Sequence, residues 1–215
     1  MFSKYIGQYM ELELSGNILV FGNLIEESTD ILVLYTGEVY RYVPQRHIKN
    51  YSFPIIDEGI EGGEDPEISE TSFRKMLMNA KGLFVEILLT KNKPIHGYIV
   101  GIMNNYFIFH SPAYKTMFIS MEHVKWLTVC DDEKGPYGLS KSEQLLQVSS
   151  LSWARTLEEQ LKKLTNKLVV LDLGQHPMDI GRIIQLKDGL IHMMDAQGEE
   201  FYVNMRHVKS FQFPQ

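Results

Sequence analysis

One pattern recurs three times along this chain, and it limits the possible folds more than any composition figure does. A His-x-Lys tripeptide appears as His47-Ile48-Lys49, His123-Val124-Lys125 and His207-Val208-Lys209. Each is followed by an apolar or aromatic alternation: Tyr51 and Phe53, Leu127 and Val129, Phe211 and Phe213. Upstream, one glycine holds an equivalent place in each copy. These are Gly22, Gly97 and Gly181, standing 25, 26 and 26 residues before their histidines. An alternating apolar run precedes each glycine: Met10 to Leu14, Val85 to Leu89 and Val169 to Leu173. Shared order, spacing and residue type define a tandem repeat, so the unit of folding to be explained is one copy of about 50 residues.

Each copy reads as five short strands. The segments are strand-length, rich in Val, Ile, Leu, Tyr and Phe, and broken by turn residues. In the second copy they fall at 83–89, 95–103, 105–110, 115–121 and 125–129. Turns are expected at Asp30, at Asn104-Asn105 with the positive φ of a tight hairpin, and at Lys187-Asp188-Gly189. The repeated glycine suits a bulge or bend where the strand curves to close a barrel. The fold class expected is mainly β: three tandem five-stranded SH3-like or Sm-like small barrels with short connecting α-helices. His47, His123 and His207, with Lys49, Lys125 and Lys209, then mark a tight structural turn between strands four and five.

The connectors fit this plan. Phe73, Met76, Leu77 and Ala80 fall on one face of a helix expected over 69–80. Trp153, Leu157, Leu161 and Leu164 make a second stripe before the third copy. Ser140 to Glu143 has capping-box spacing. The expected domains are a first barrel over 1–56, an acidic Gly-rich linker over 57–71, and a second barrel with its leading helix over 72–130. A linker over 131–142 and a third barrel with its leading helix over 143–215 complete the chain.

Charge and cysteine content narrow the function. The net charge of −6 argues against a nucleic-acid role for the whole chain. The distribution is uneven: residues 72–130 carry seven Lys/Arg against Glu86 and Glu122, and residues 57–71 carry seven acids and no base. A basic module beside an acidic linker is either a nucleic-acid surface or two parts that attract one another. Cys130 is the single cysteine, so there is no internal disulfide framework or cysteine-rich zinc site, and a reduced, cytosol-like place of synthesis is expected. No apolar run is long enough to span a membrane, and no secretory signal is read at the start.

Catalytic patterns are missing. There is no Gly-x-Ser-x-Gly elbow, no His-Glu-x-x-His, no P-loop and no Gly-x-Gly-x-x-Gly. Zinc accepts three imidazoles, but a residue repeated in every copy is first of all what the fold of each copy needs. No metal and no cofactor are therefore expected. In the second copy, Asn104, Asn105, Tyr106 and Phe107 occupy the place where Sm-like domains bind bases, with Lys91 and Lys93 nearby. Phe107 and Phe109 fit a core equally well.

The thrice-repeated His-Ile/Val-Lys ending, fed by an apolar strand and a mid-strand glycine, resembles the repeat region of spore coat protein B and its relatives in Bacillus-type endospore formers. Two departures are visible. No Ser/Lys-rich tail follows the third copy, and Ser15-Gly16-Asn17, Lys91 to Pro94 and Gln175 to Pro177 stand where a Gly-Gly-Pro-Glu-type loop is expected. The resemblance implies a non-enzymatic structural protein, made in the mother-cell cytoplasm and built into the spore coat. Its partners would be other coat proteins or further copies of itself, as a homo-oligomer, with no membrane partner. Three barrels would stack within the chain, or two chains would build a six-barrel ring. The alternative is an Sm-like RNA-binding or regulatory module using the basic second repeat.

Overall fold

The computed structural model describes residues 1–55, 66, 72–90, 93–130, 136–138 and 152–213. Both expected linkers fall largely outside the described residues, as do Lys91 and the Ser140 to Glu143 capping pattern. The chain is mainly β, with fifteen strands among the described residues. It divides into two compact units: Met1–Ile99 with Val124–Gln144, and Val100–His123 with Leu145–Gln215. The division falls inside the second sequence repeat, not between repeats.

The first unit begins with β1 (Tyr9–Leu14), β2 (Ile18–Glu27), β3 (Ile31–Tyr35), β4 (Tyr40–Pro44) and β5 (Ile48–Ser52). The alternation of Tyr-Met-Glu-Leu-Glu-Leu in β1 buries Met10, Leu12 and Leu14 on one face, as a period of two requires. Antiparallel pairing gives the order β5-β1-β2-β3-β4. The second repeat contributes β6 (Phe84–Leu88), the start of β7 (Pro94–Ile102) and β10 (Trp126–Val129), paired β10-β6-β7. Phe2, Met10, Leu12, Val20, Leu24 and Trp126 belong to this unit's core.

The second unit holds β8 (Tyr106–Ser111) and β9 (Lys115–Ser120), and then the third repeat: β11 (Leu168–Leu171), β12 (Ile180–Lys187), β13 (Leu190–Met194), β14 (Glu200–Asn204) and β15 (Ser210–Gln212). The third repeat pairs in the order β15-β11-β12-β13-β14, matching the first. Its core gathers Tyr106, Phe118, Leu161, Val169, Ile183 and Phe211. In neither complete repeat does the fourth strand hydrogen-bond to the fifth of the same copy among the described residues, so the five strands form an open antiparallel sheet.

The repeated glycines sit in register. Gly22 faces Met10, Gly97 faces Val85 and Gly181 faces Val169. A Cβ on Gly22 would lie 2.5 Å from the Tyr35 carbonyl oxygen, and one on Gly181 would lie 2.8 Å from that of Met194. Close backbone approach therefore demands glycine. The bulge itself lies farther along, between Leu24 and Glu26 and between Ile183 and Gln185, at the same offset from each glycine.

Helix α1 (Phe73–Asn79) is capped by the Ser72 hydroxyl, which accepts from the Lys75 N–H, and it buries the expected Phe73, Met76, Leu77 and Ala80. Helix α2 (Leu157–Lys162) is shorter than its apolar stripe, because a Thr156/Glu159 capping box fixes its start. Trp153 and Leu164 flank it and pack into the same core. At the hairpins, a turn is found as expected at Lys187-Asp188-Gly189, where Asp188 (φ 52°) and Gly189 (φ 75°) are both left-handed. Asn104 and Asn105 do not adopt positive φ.

Candidate functional site

Each His-x-Lys tripeptide leaves a single 3-10 turn, at Gln45–His47, Met121–His123 and Met205–His207. The three turns are alike in backbone and differ in what their side chains meet. In the first copy the Lys49 ammonium pairs with the Glu13 carboxylate, which also accepts from the Asn50 amide at 2.7 Å. In the third, the Lys209 ammonium lies 2.7 Å from Asp172 Oδ2. Counted from the residue facing the glycine, Glu13 and Asp172 hold the same position, three residues on, within β1 and just past the end of β11. The second copy has Leu88 there. Lys125, without that acid, donates instead to Ser15 Oγ (2.6 Å) and to His47 Nδ1 (3.1 Å) of the first copy.

The histidines consequently have three environments. His47 is buried against Ser15 and Lys125. His123 donates from Nε2 to the Arg206 carbonyl at 3.0 Å. His207 is exposed. No group of three His, Cys, Asp or Glu side chains suited to a metal is found among the described residues.

A second repeated device joins each helix to the turn before it. Asp30 and Asn105 both stand eight residues after their glycines. Asp30 Oδ1 accepts the Phe73 N–H at 2.7 Å, at the first residue of α1. Asn105 Oδ1 accepts the Leu157 N–H at 2.9 Å, at the first residue of α2. These acceptors satisfy donors that a helix start leaves open. The third copy has Gly189 in that place. The sequence marks all three positions as turns, but it takes the column Asp-Asn-Gly, aligned on the glycine, to reveal the caps.

The third device is pairing between copies. The β4 strand pairs antiparallel with β10, with Tyr42 opposite Leu127. The β9 strand pairs with β15, with Phe118 opposite Phe211 and Ile119 opposite Ser210. In both cases the residue five before one histidine faces the residue four after the next. Phe118 and Phe211 stack with centroids 4.7 Å apart and planes 7° apart. The fourth strand of one copy is thus extended by the fifth strand of the next, twice, in one register. The outer sides of β5 and β14 have no strand partner among the described residues.

Other candidates resolve simply. Tyr106, Phe107 and Phe109 are fully buried, so these rings offer no face to a base. The Tyr106 hydroxyl donates to the Ala154 carbonyl at 2.8 Å, and burial pushes its pKa up to about 12. Burial, with Lys115 nearby, holds His110 below the usual imidazole value. In the first unit, a cleft of ≈ 360 Å³ is lined by Ile18, Leu88, Pro94 and Trp126, with the Arg41 guanidinium 4.7 Å above the Trp126 ring. Cys130 is half-buried at the end of β10. No helix among the described residues is long and apolar enough to cross a membrane.

Comparison with known proteins decides the family. A family model described as YwrJ third domain matches residues 156–211, the third repeat with its leading helix. Across 221 aligned residues the chain is 33% identical to Uncharacterized protein YwrJ of Bacillus subtilis (strain 168), covering 99% of this chain and 98% of that one. The chain belongs to the YwrJ family. The YwrJ match spans all three repeats and both connecting helices, where the likeness to coat protein B rests on the His-x-Lys ending and its glycine.

Proposed function

We propose that this protein is a non-enzymatic structural and assembly protein, a component of the spore coat or of another sporulation structure, acting through protein–protein contacts. It is synthesised in the mother-cell cytoplasm and works as three small units of the SH3-like or Sm-like kind. The observation that carries this reading is the strand pairing between copies, repeated in one register at Tyr42–Leu127 and Phe118–Phe211. Sheet-edge pairing uses main-chain hydrogen bonds that any neighbour of matching register can supply, so it builds assemblies without a binding cleft. The motif lysines are spent on ion pairs and hydrogen bonds within the fold, and Asp30 and Asn105 on helix starts, which fits a structural role. The coat-protein-B-like ending and a relative from a Bacillus species agree with a sporulation setting.

A fluorescent fusion expressed from its own promoter in sporulating cells tests this, together with immunoblots of coat extracts. The expected result is fluorescence around the developing spore and recovery of the protein in the coat fraction. Diffuse signal in growing cells, with none in coat extracts, overturns the proposal.

A further inference from the structure

We propose that β14 of one copy of this chain pairs antiparallel with β5 of a second copy, placing Tyr202 opposite Tyr51. This names the partner for the assembly role above and stands or falls by a separate measurement. The register follows from the two pairings already present. Tyr42, Phe118 and Tyr202 each lie five residues before a motif histidine. Tyr51, Leu127 and Phe211 each lie four residues after one. Tyr42 meets Leu127 and Phe118 meets Phe211, which leaves Tyr202 and Tyr51 as the pair without strand mates among the described residues.

Burial marks the same gap. Tyr42 is 1% exposed and Phe118 is fully buried, but Tyr202 is 60% exposed, with one ring face stacked on His192 at 4.5 Å. The backbone is also prepared. The Met205 N–H donates to the Gly189 carbonyl at 2.9 Å, which fixes the alternation of the β13–β14 ladder. On that alternation Tyr202 turns its own N–H and C=O away from β13, toward the open edge. Phe118 is placed identically on β9, and its neighbour Ser120 donates its N–H to the Lys209 carbonyl at 2.9 Å. Transferred to the new pairing, Asn204 donates to Lys49 of the second copy. Each chain offers one edge of each kind, so the contact is head-to-tail, and two copies can satisfy all four edges if the ring closes.

The full-length protein is to be measured by sedimentation velocity and light scattering across a dilution series. The expected species has at least twice the 24.9 kDa chain mass. Tyr202→Pro removes one of the N–H groups that face the open edge, beside that of Asn204, without touching the ladder to β13, and such a proline is tolerated on an edge strand. It is expected to give the chain mass with an unchanged far-ultraviolet spectrum. Independently, Lys49→Cys and Asn204→Cys are made as separate proteins, each with Cys130→Ser. A directly opposed, hydrogen-bonded pair has Cα atoms about 5.5 Å apart, within disulfide reach. Mixed and mildly oxidised, the two proteins are expected to cross-link to each other and neither to itself. A wild-type chain that stays monomeric throughout, an oligomer unaffected by folded Tyr202→Pro, or cross-linking only between identical variants overturns the proposal. If Tyr202→Pro does not fold, the cross-linking result decides.

Discussion

Replacing Asp172 by alanine separates a structural acid from a decorative one. Asp172 Oδ1 accepts two backbone N–H groups, from Lys209 at 2.7 Å and Ser210 at 3.0 Å, and Oδ2 accepts the Lys209 ammonium at 2.7 Å. Its own φ is 45°, a conformation that aspartate tolerates better than alanine. Ser210 is 1% exposed, so its N–H has little water to turn to. Each buried donor left open costs about 1–3 kcal/mol. Taking the low end for part-buried groups, and adding about 1 kcal/mol for the left-handed backbone, gives a loss of about 3–4 kcal/mol. In a chain of this size that lowers the Tm by roughly 10 °C. Glu13, in the equivalent position, serves only the exposed side chains of Lys49 and Asn50. Glu13→Ala should therefore cost less than about 1 kcal/mol. Asp172→Asn keeps Oδ1 as an acceptor and should recover more than half of the alanine loss. Urea unfolding followed by circular dichroism measures all three. Equal losses for Asp172→Ala and Glu13→Ala, or an Asp172→Ala loss under about 0.5 kcal/mol, would refute the assignment of the two backbone bonds as the source of stability.

Two further outcomes follow from buried groups. His110 is held neutral by burial, so its folded pKa lies below the unfolded 6.5. The unfolded chain then binds the proton first, and stability falls as the pH drops below about 6.5 toward the folded value. His110→Gln should flatten that slope below about pH 6.5, read as Tm against pH, and an unchanged slope would rule His110 out as its source. Gly181→Ala and Gly22→Ala should each cost about 1–3 kcal/mol, with Gly22→Ala the worse because its new Cβ would stand nearer a carbonyl oxygen (2.5 Å against 2.8 Å). Chemical denaturation giving the reverse order would contradict the close-approach explanation.

Local and repeated features were legible in the sequence, because spacing alone reports them. The second-copy strands expected at 83–89, 95–103, 105–110, 115–121 and 125–129 lie within a residue or so of β6 to β10. The α1 stripe lands on its buried face. Helix α2 is shorter than the apolar stripe through it, because such a stripe reports burial, not helix limits. Trp153 and Leu164 are core residues outside the helix, and the deciding signal was Thr156-x-x-Glu159. The repeated glycine suits a bulge or a bend; the bulge itself lies two residues beyond it, and the glycine answers to a neighbouring carbonyl, which no local pattern reveals. Pairing between copies is non-local, so nothing in the spacing foretold that Tyr42 meets Leu127. Aligned columns do show its consequence: Glu13, Leu88 and Asp172 are one position, and the missing acid in the middle copy sends Lys125 to His47.

The differences between copies are best understood as differences in neighbours. His47 is buried against Lys125 of the next copy, whereas His207 is exposed. If the open end of the third copy were meant to remain in water, its edge strand would be expected to carry the usual protections, a charge or a proline at the outward position. Of the outward positions of β14, Glu200 is charged but its carboxylate lies 2.8 Å from His192 Nε2, and the central one is Tyr202, an aromatic like Tyr42 and Phe118, which are covered. A lone exposed tyrosine is unremarkable. An aromatic at the register position that the pairing shares in both other copies, on a strand whose N–H and C=O at that residue face outward, leaves that edge open to pairing at its centre. The same physics that joins the copies within the chain therefore predicts where the chain continues into the next one.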